Sequence, residues 1–160
     1  MLIMAAIIAL GGPVRLMQAQ QAAPFKGNVQ GSFFFHDCGD DAPEGALCLH
    51  DDVGGTLSHL GLATGTFEVV FDLAQFDQNS CGPIKKRGSL FAANGDRLDI
   101  EAEGTFCFST LIATYQFRIT GGTGRFAGAT GGGTWLVPPP ATFDGVAGVG
   151  DEFFDGVIVK

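Results

Sequence analysis

The sequence has few basic residues and no long hydrophobic run. Of its 160 residues only 9 are Lys or Arg, against 17 Asp and Glu, so the formal net charge is -8. Binding to nucleic acid needs a concentrated basic face that neutralises phosphates, and the composition excludes that partner class. The one basic run, Lys85-Lys86-Arg87, is predicted to be a solvated turn, with a contact to an acidic partner as the alternative. The longest apolar stretch, Leu2 to Leu10, is shorter than the roughly 18 to 20 residues of a spanning helix, so no membrane span is expected after processing.

Helical periodicity is also missing from residue 26 onward, where glycine recurs too often for a helix of ordinary length. Glycine and proline together make 32 of 160 residues, below the fraction at which low-complexity disorder is the better interpretation. With 46% hydrophobic residues the chain can close a core. We therefore expect one globular domain, at residues 24–160.

The first 23 residues read as an export segment. An apolar stretch is followed by a Gly-Gly-Pro break and then by small and polar residues suited to a peptidase, with Ala19 as a cleavage point. The usual positive charge before the apolar stretch is missing, since Arg15 follows it, so a tether is the alternative. We predict a secreted or periplasmic protein.

Four cysteines are an even number in a chain with an export segment, which favours disulfides. Four cysteines allow three connectivities, and sequence alone does not choose between them. We pair Cys38 with Cys48 and Cys81 with Cys107. The first pair rests on a hairpin register that places the two cysteines opposite each other and, by the same symmetry, sets His36 opposite His50.

The same four side chains suggest an alternative, because two Cys and two His from paired strands could hold zinc. Their spacing departs from the usual zinc patterns, and the compartment favours the disulfide, so we predict no metal and no cofactor. The acidic residues nearby lack the spacing of a calcium loop and are predicted to be solvated. They are Asp40, Asp41, Glu44, Asp51 and Asp52.

Alternating apolar and polar residues predict eight strands. They cover residues 26–36, 54–61, 65–73, 86–92, 97–107, 113–120, 131–137 and 152–159. Asn94-Gly95 predicts a tight hairpin, and Tyr115, Phe117 and Ile119 should face inward. Such strands hide their apolar faces in a barrel or a sandwich. We place the barrel mouth at loops 37–53 and 138–150.

A glycine-rich segment runs from Ile119 to Thr134, ITGGTGRFAGATGGGT. It formally satisfies a dinucleotide-binding fingerprint, but a strand follows where that fingerprint needs a helix. We interpret its glycines as a structural turn that permits positive φ angles and close packing. The turn residues are Gly121, Gly122, Gly124 and Gly128.

The segment ITGGTGRFAGATG resembles the signature of allene oxide cyclase and its barrel relatives, which include dirigent proteins and small secreted bacterial members. Thr56 to Gly61, TLSHLG, is similar to a stretch of the bacterial members, and FDGVI at 154–158 looks like their closing strand. The resemblance implies an all-β, eight-stranded antiparallel barrel, and the plant relatives add a trimer as one assembly to test. It transfers no catalytic residue to this chain, and a shared fold does not fix a function.

Three residues are candidates for ligand binding: His59, Phe117 and Trp135. His59 is predicted mid-strand among apolar neighbours, where an imidazole could anchor a ligand, with a structural histidine as the alternative. Trp135 could stack on a ligand or simply fill the core. In the third strand Phe67, Val69 and Phe71 should face inward, which leaves Glu68 and Asp72 solvated.

These observations predict an exported barrel that binds a small hydrophobic ligand without catalysis or serves a structural role. One alternative, implied by the resemblance alone, is a cofactor-independent isomerase or cyclase. Another is a homo-oligomer, a dimer or trimer, with a packed barrel. The run Phe33-Phe34-Phe35 supports that alternative because it places aromatic rings on both faces of a strand.

Overall fold

The computed structural model describes residues 21–39 and 42–160. Its strands are β1 Ala22–His36, β2 Leu47–Leu57, β3 Gly61–Phe71, β4 Cys81–Ala92, β5 Arg97–Cys107, β6 Ile112–Gly122, β7 Thr130–Val137, β8 Thr142–Phe143 and β9 Ala147–Val159. Residues 1–20 of the predicted export segment, and Asp40 and Asp41 of the predicted acidic loop, lie outside the described residues. Ala22 and Ala23, assigned to that segment, begin β1. Nowhere in the described ranges is there a helix long and apolar enough to cross a membrane.

Eight of these strands form a closed antiparallel barrel, which confirms the predicted fold. Each strand from β1 to β7 pairs with the next, β7 pairs with β9, and β9 pairs back with β1. The two-residue β8 pairs with β9 only. Closure leaves no barrel strand with an unpaired edge.

Side chains alternate between the barrel interior and solvent. Tyr115, Phe117 and Ile119 of β6 are buried, as predicted, while Gln116 and Arg118 between them are exposed. In β3 the predicted inward residues Phe67, Val69 and Phe71 are likewise buried. Each barrel strand therefore contributes every second residue to the interior.

The two ends of the barrel differ in their connections. Short turns at 58–60 and 93–96 and the glycine segment 123–129 lie at one end, which we call the closed end. The connections 37–46, 72–80, 108–111 and 138–146 lie at the other end, which we call the mouth. The predicted mouth loop 37–53 was too long, because β2 begins at Leu47 rather than 54. Its charged residues suggested a loop, but Asp51 lies inside the barrel, where its Oδ2 accepts a hydrogen bond from Lys86.

In the glycine segment the chain makes a single 3-10 turn, Gly124–Phe126, and then enters β7. Gly124 has a φ of +57°, and a Cβ there would collide with the Asp96 carboxylate of the neighbouring hairpin. Gly121 and Gly128 also have positive φ, and a Cβ on Gly122 would collide with the backbone of Arg97. A helix that could receive a phosphate does not form between residues 121 and 130.

Both predicted disulfides are present, Cys38–Cys48 and Cys81–Cys107. The predicted hairpin register was wrong by two residues. His36 is opposite Cys48, and Phe34 is opposite His50. Cys38 lies beyond the end of β1 and reaches back to Cys48 diagonally. This bond removes both thiols as zinc ligands.

Candidate binding site at the barrel mouth

Three charged side chains lie inside the barrel: Asp51, Lys86 and Glu152, which are 1%, 3% and 3% exposed. Strand alternation puts them there. Asp51 is two residues from buried Val53 in β2, and Glu152 is two residues from buried Phe154 in β9. Lys86 occupies the inward position after Ile84 in β4. Each of the three therefore lies on the same face of its strand as the core residues beside it.

The Lys86 ammonium is the centre of this cluster. Its Nζ lies 2.5 Å from Asp51 Oδ2 and 3.0 Å from Glu152 Oε2, and it also lies 4.0 Å from the ring centroid of Trp135. Trp135 donates its indole N–H to Glu152 Oε2 at 2.7 Å. Buried charges are tolerated only when they are paired and hydrogen-bonded, and these contacts satisfy most of that requirement.

Gly31 of β1 makes room for the two carboxyl groups. A Cβ at Gly31 would lie 2.7 Å from Asp51 Oδ1 and 2.7 Å from Glu152 Oε1, so both oxygens occupy space that a side chain would fill. Asp51 Oδ1 accepts no hydrogen bond from any described residue. The cluster thus holds one acceptor atom in need of a donor.

The protonation of the cluster follows from its burial. Burial raises the pKa of Glu152 to about 8; Lys86 opposes the shift, and the charge and hydrogen bond of Asp51 add to it. Burial would lower the pKa of Lys86, but the two carboxylates more than offset this, so its pKa is raised. Burial also raises the pKa of Tyr115. At neutral pH the cluster therefore contains Lys86 as a cation, Glu152 as a neutral acid and a neutral Tyr115 hydroxyl.

A pocket of about 70 Å³ lies between this cluster and the mouth. Asp51, Lys86, Tyr115 and Glu152 contribute to its floor, and aromatic side chains form much of its wall. The wall aromatics are Phe33, Phe35, Phe71, Phe106 and Phe143. An apolar pocket with a few converging polar groups is the usual form of a small-molecule site.

The segment 138–146 covers the pocket. Phe143 lies with its ring centroid 6.0 Å from that of Phe33 and 6.2 Å from that of Phe35, and Pro140 packs against Gly150. The segment pairs with β9 at only two positions, and Phe143 remains 40% exposed. Val146 also accepts a backbone hydrogen bond from Phe35 at 2.8 Å. The cover nevertheless has far fewer strand pairings than any barrel strand, so Phe143 can move at lower cost than the barrel wall.

Of the predicted ligand-binding residues, His59 lies farthest from this pocket. Its predicted mid-strand position is wrong, because β2 ends at Leu57 and His59 lies in the turn to β3 at the closed end. The turn requires a positive φ, 68° at His59, and the ring is exposed and bonded to Pro24 O at 3.0 Å. Leu57 and Leu60 on either side of this turn are buried, so the apolar pattern continues across it and resembles the interior of a strand.

Trp135 and Phe117 both lie inside the barrel, but neither lines the pocket. Trp135 is fully buried beneath Lys86 and reaches the site through its contacts with Lys86 and Glu152. Phe117 packs against Phe25 and Phe154, farther toward the closed end. A direct contact of either with a ligand stays a prediction.

The charged cluster itself was missed. Asp51 was predicted to be solvated and Lys86 to lie in a solvated turn, and both predictions were wrong because each residue lies in a strand with its side chain inward. The alternation of side chains along the strand could have revealed it, because Ile84, Lys86 and Leu90 share one face of β4. Once the predicted strand 86–92 is extended back to Ile84, the charge of Lys86 lies on an apolar face, which indicates a buried site.

Comparison with known proteins supports the fold. No family model matches the chain, and no curated protein matches it. A solved structure, of the pterocarpan synthase dirigent protein, is similar over 90% of this chain and 89% of that chain, with a TM-score of 0.51 and 13% identity. The barrel is dirigent-like. At this identity the likeness concerns the fold alone, so the site has to be interpreted from its own chemistry.

Proposed function

We propose that this protein is exported and binds a small, mainly apolar molecule in the pocket at the barrel mouth. The observation that carries the proposal is the pocket itself, an aromatic wall above a buried, partly unsatisfied polar floor. The wall would bury the apolar body of the ligand, and a donor on the ligand would satisfy Asp51 Oδ1.

The size of the pocket limits what enters without movement. A cavity of about 150 Å³ holds benzene, whereas this one is about 70 Å³. A ligand with one ring therefore displaces Phe143 from its contacts with Phe33 and Phe35. The two-residue pairing of Phe143 with β9 permits this displacement, with the ligand replacing the lost aromatic contacts.

Export is supported by the chemistry of the mouth. Two disulfides join strands there, Cys38–Cys48 and Cys81–Cys107, and the described residues contain no free cysteine. Disulfides persist in oxidising compartments. Native mass spectrometry of protein collected outside the cell tests export together with subunit number and any retained molecule.

Binding is tested by calorimetry with toluene and benzyl alcohol. Ala113 lines the pocket and the next residue, Thr114, faces solvent, so Ala113→Leu and Thr114→Leu form a matched pair. We expect Ala113→Leu to abolish binding by filling the pocket and Thr114→Leu to leave it unchanged. Binding that survives Ala113→Leu would place the ligand elsewhere, and no binding of either probe to the unaltered protein would overturn the proposal.

One observation favours a second function, proton-transfer catalysis without a cofactor. Glu152 holds a proton near neutral pH beside the Asp51 carboxylate, which gives the pocket floor a general acid and a base together. Solvent deuterium appearing in a bound molecule, measured by mass spectrometry, would support this function. Glu152→Gln should stop that exchange while the molecule still binds.

A further inference from the structure

The buried cluster has one negative charge more than its lysine balances. With both carboxyl groups ionised, Asp51 and Glu152 face the single ammonium of Lys86, and all three side chains are at least 96% buried. Within the described part of the barrel interior, the only other titratable side chain is the neutral Tyr115, from β6. Gly31 of β1, Phe67 of β3 and Trp135 of β7 bring no ionisable group. Since an unbalanced buried charge is costly, the cluster needs one further positive charge.

A proton bound by the two carboxyl groups meets this need. Lys86 donates to Asp51 Oδ2 at 2.5 Å and to Glu152 Oε2 at 3.0 Å, and its contact with Glu152 Oε1 is longer, 3.3 Å. The proton therefore belongs between Glu152 Oε1 and Asp51 Oδ1, the oxygen without a partner among the described residues. Both of these lie over Gly31. A proton shared there satisfies the otherwise unpartnered Asp51 Oδ1.

The pocket above the cluster suits a cation better than an anion. Aromatic faces attract organic cations, and the Lys86 ammonium already uses this attraction toward Trp135 and Phe67, at 4.0 and 5.2 Å from the ring centroids. Six aromatic side chains line the pocket: Phe33, Phe35, Phe71, Phe106, Tyr115 and Phe143. Lys86 also lines the pocket, but its ammonium already donates to both carboxyl groups, so the groups left to meet a ligand at the floor are oxygen acceptors, which suit an ammonium rather than an anion.

We propose that the pocket binds a small organic monocation, a primary ammonium on an apolar or aromatic body, in exchange for the proton shared by Asp51 and Glu152. The inference rests on the proposed function, since it specifies the ligand of the same pocket. The only bond broken is the O–H bond that holds the shared proton, which passes to water or buffer. The ammonium donates hydrogen bonds to the freed carboxylate oxygens, the proton leaves to solvent, and the charge of the cluster stays balanced.

The experiment compares benzylammonium with benzyl alcohol, which have nearly the same size and differ in charge. Calorimetry at about pH 6, roughly two units below the pKa of Glu152, in buffers of different ionisation enthalpy counts the protons released. We expect benzylammonium to release close to one proton and benzyl alcohol none. Because a proton must leave, the Kd of benzylammonium should fall roughly tenfold per pH unit up to about pH 8 and then level off.

Two variants locate the effect. Glu152→Gln removes the unbalanced charge while its amide oxygen still accepts from Trp135. Benzylammonium should therefore bind at least about tenfold more weakly and release no proton, and it should lose more affinity than benzyl alcohol does. Asp151→Asn alters the exposed neighbouring residue and should change neither the affinity for the two probes nor the number of protons released. Circular dichroism checks that both variants are folded.

The outcomes separate this inference from the proposed function. If benzyl alcohol binds but benzylammonium binds no better, or binds without releasing a proton, the exchange is overturned and the binding function stands. If neither probe binds the unaltered protein, both are overturned.

Discussion

Asp51 and Asp52 are neighbours in β2, yet they belong to two very different clusters. Asp51 points into the barrel and joins the inner cluster with Lys86 and Glu152. Asp52 points outward to the outer cluster, in which His50 lies 3.3 Å from Asp52 and 2.5 Å from Glu68, and Glu68 also reaches His36 at 3.0 Å. One step along a strand separates a nearly water-free site from a solvated one.

The difference lies in solvation rather than in the kinds of group. The carboxylates of the outer cluster are 42% and 62% exposed, so water and salt screen their attraction to the histidines. The inner carboxyl groups are almost fully buried, and removing one partner there strands a charge in a medium that cannot stabilise it. Substitutions in the two clusters should therefore differ severalfold in effect.

The largest effect is expected from Lys86→Met. Methionine is similar in size but leaves Asp51 and Glu152 facing each other without a cation, so we expect the free energy of unfolding to fall by about 3 to 5 kcal/mol. The loss should grow with pH, because protonation relieves the two carboxyl groups in acid. Urea denaturation at about pH 5 and about pH 8 measures both.

Lys85→Met is the matched control, since Lys85 is the adjacent residue of β4 and faces solvent. It should change stability by less than about 0.5 kcal/mol. Equal losses from the two variants would contradict the burial of the inner cluster.

The next effect is the pH dependence of stability. The pKa of Glu152 is about 8 in the folded protein, against an ordinary value of 4.5. Between these values only the folded state holds the proton. The contribution of Glu152 to the free energy of unfolding should therefore be greatest below about pH 4.5. It should fall by about 1.4 kcal/mol per pH unit, a few kcal/mol in all, as the pH rises to 8, and then level off.

Urea denaturation across this range measures the slope, and Glu152→Gln should remove most of it. A smaller slope should remain from His50, whose pKa is raised by its hydrogen bond to Glu68. A raised histidine pKa gives stability that is complete below about pH 6.5 and is lost as pH rises through the folded value. If the slope persists unchanged in Glu152→Gln, the proton is not on Glu152.

A third effect compares Asp51 with Asp52 directly. Asp51→Asn leaves Lys86 balanced by Glu152 alone, so the pKa of Glu152 should fall and the loss of stability should be moderate, about 1 to 3 kcal/mol near neutral pH. Asp52→Asn keeps an acceptor for Thr66 and should cost less than about 1 kcal/mol. Urea denaturation of both variants tests the ratio, and a larger loss from Asp52→Asn would reverse the comparison.

Much of the fold could be predicted from the sequence because alternation and turn residues are local signals. Strand 97–107 was predicted with the bounds it has, and Asn94-Gly95 marked its hairpin. The inner cluster could not be predicted in the same way. Asp51 and Lys86 read locally as loop residues, and their burial depends on a closure that brings β2, β4 and β9 together.

The predictions of the His59 position and of the first hairpin register were wrong for related reasons. A strand pattern does not reveal where a positive φ ends it, as at His59. Disulfide partners do not fix a register when one cysteine, Cys38, lies beyond the end of its strand.

The smallest effect is expected in the outer cluster, from Glu68→Gln. Glutamine keeps an oxygen near His50 and His36 but removes the charge that supports the protonated imidazole, so the pKa of His50 should fall toward its ordinary value of 6.5. Because the cluster is solvated, the loss of stability should stay below about 1 kcal/mol and should be larger at about pH 6 than at about pH 8. Titration of the His50 ring protons by NMR, beside urea denaturation, measures both. A loss as large as that of Lys86→Met would show that the outer carboxylates are as poorly solvated as the inner ones, and burial would then not be what separates the two clusters.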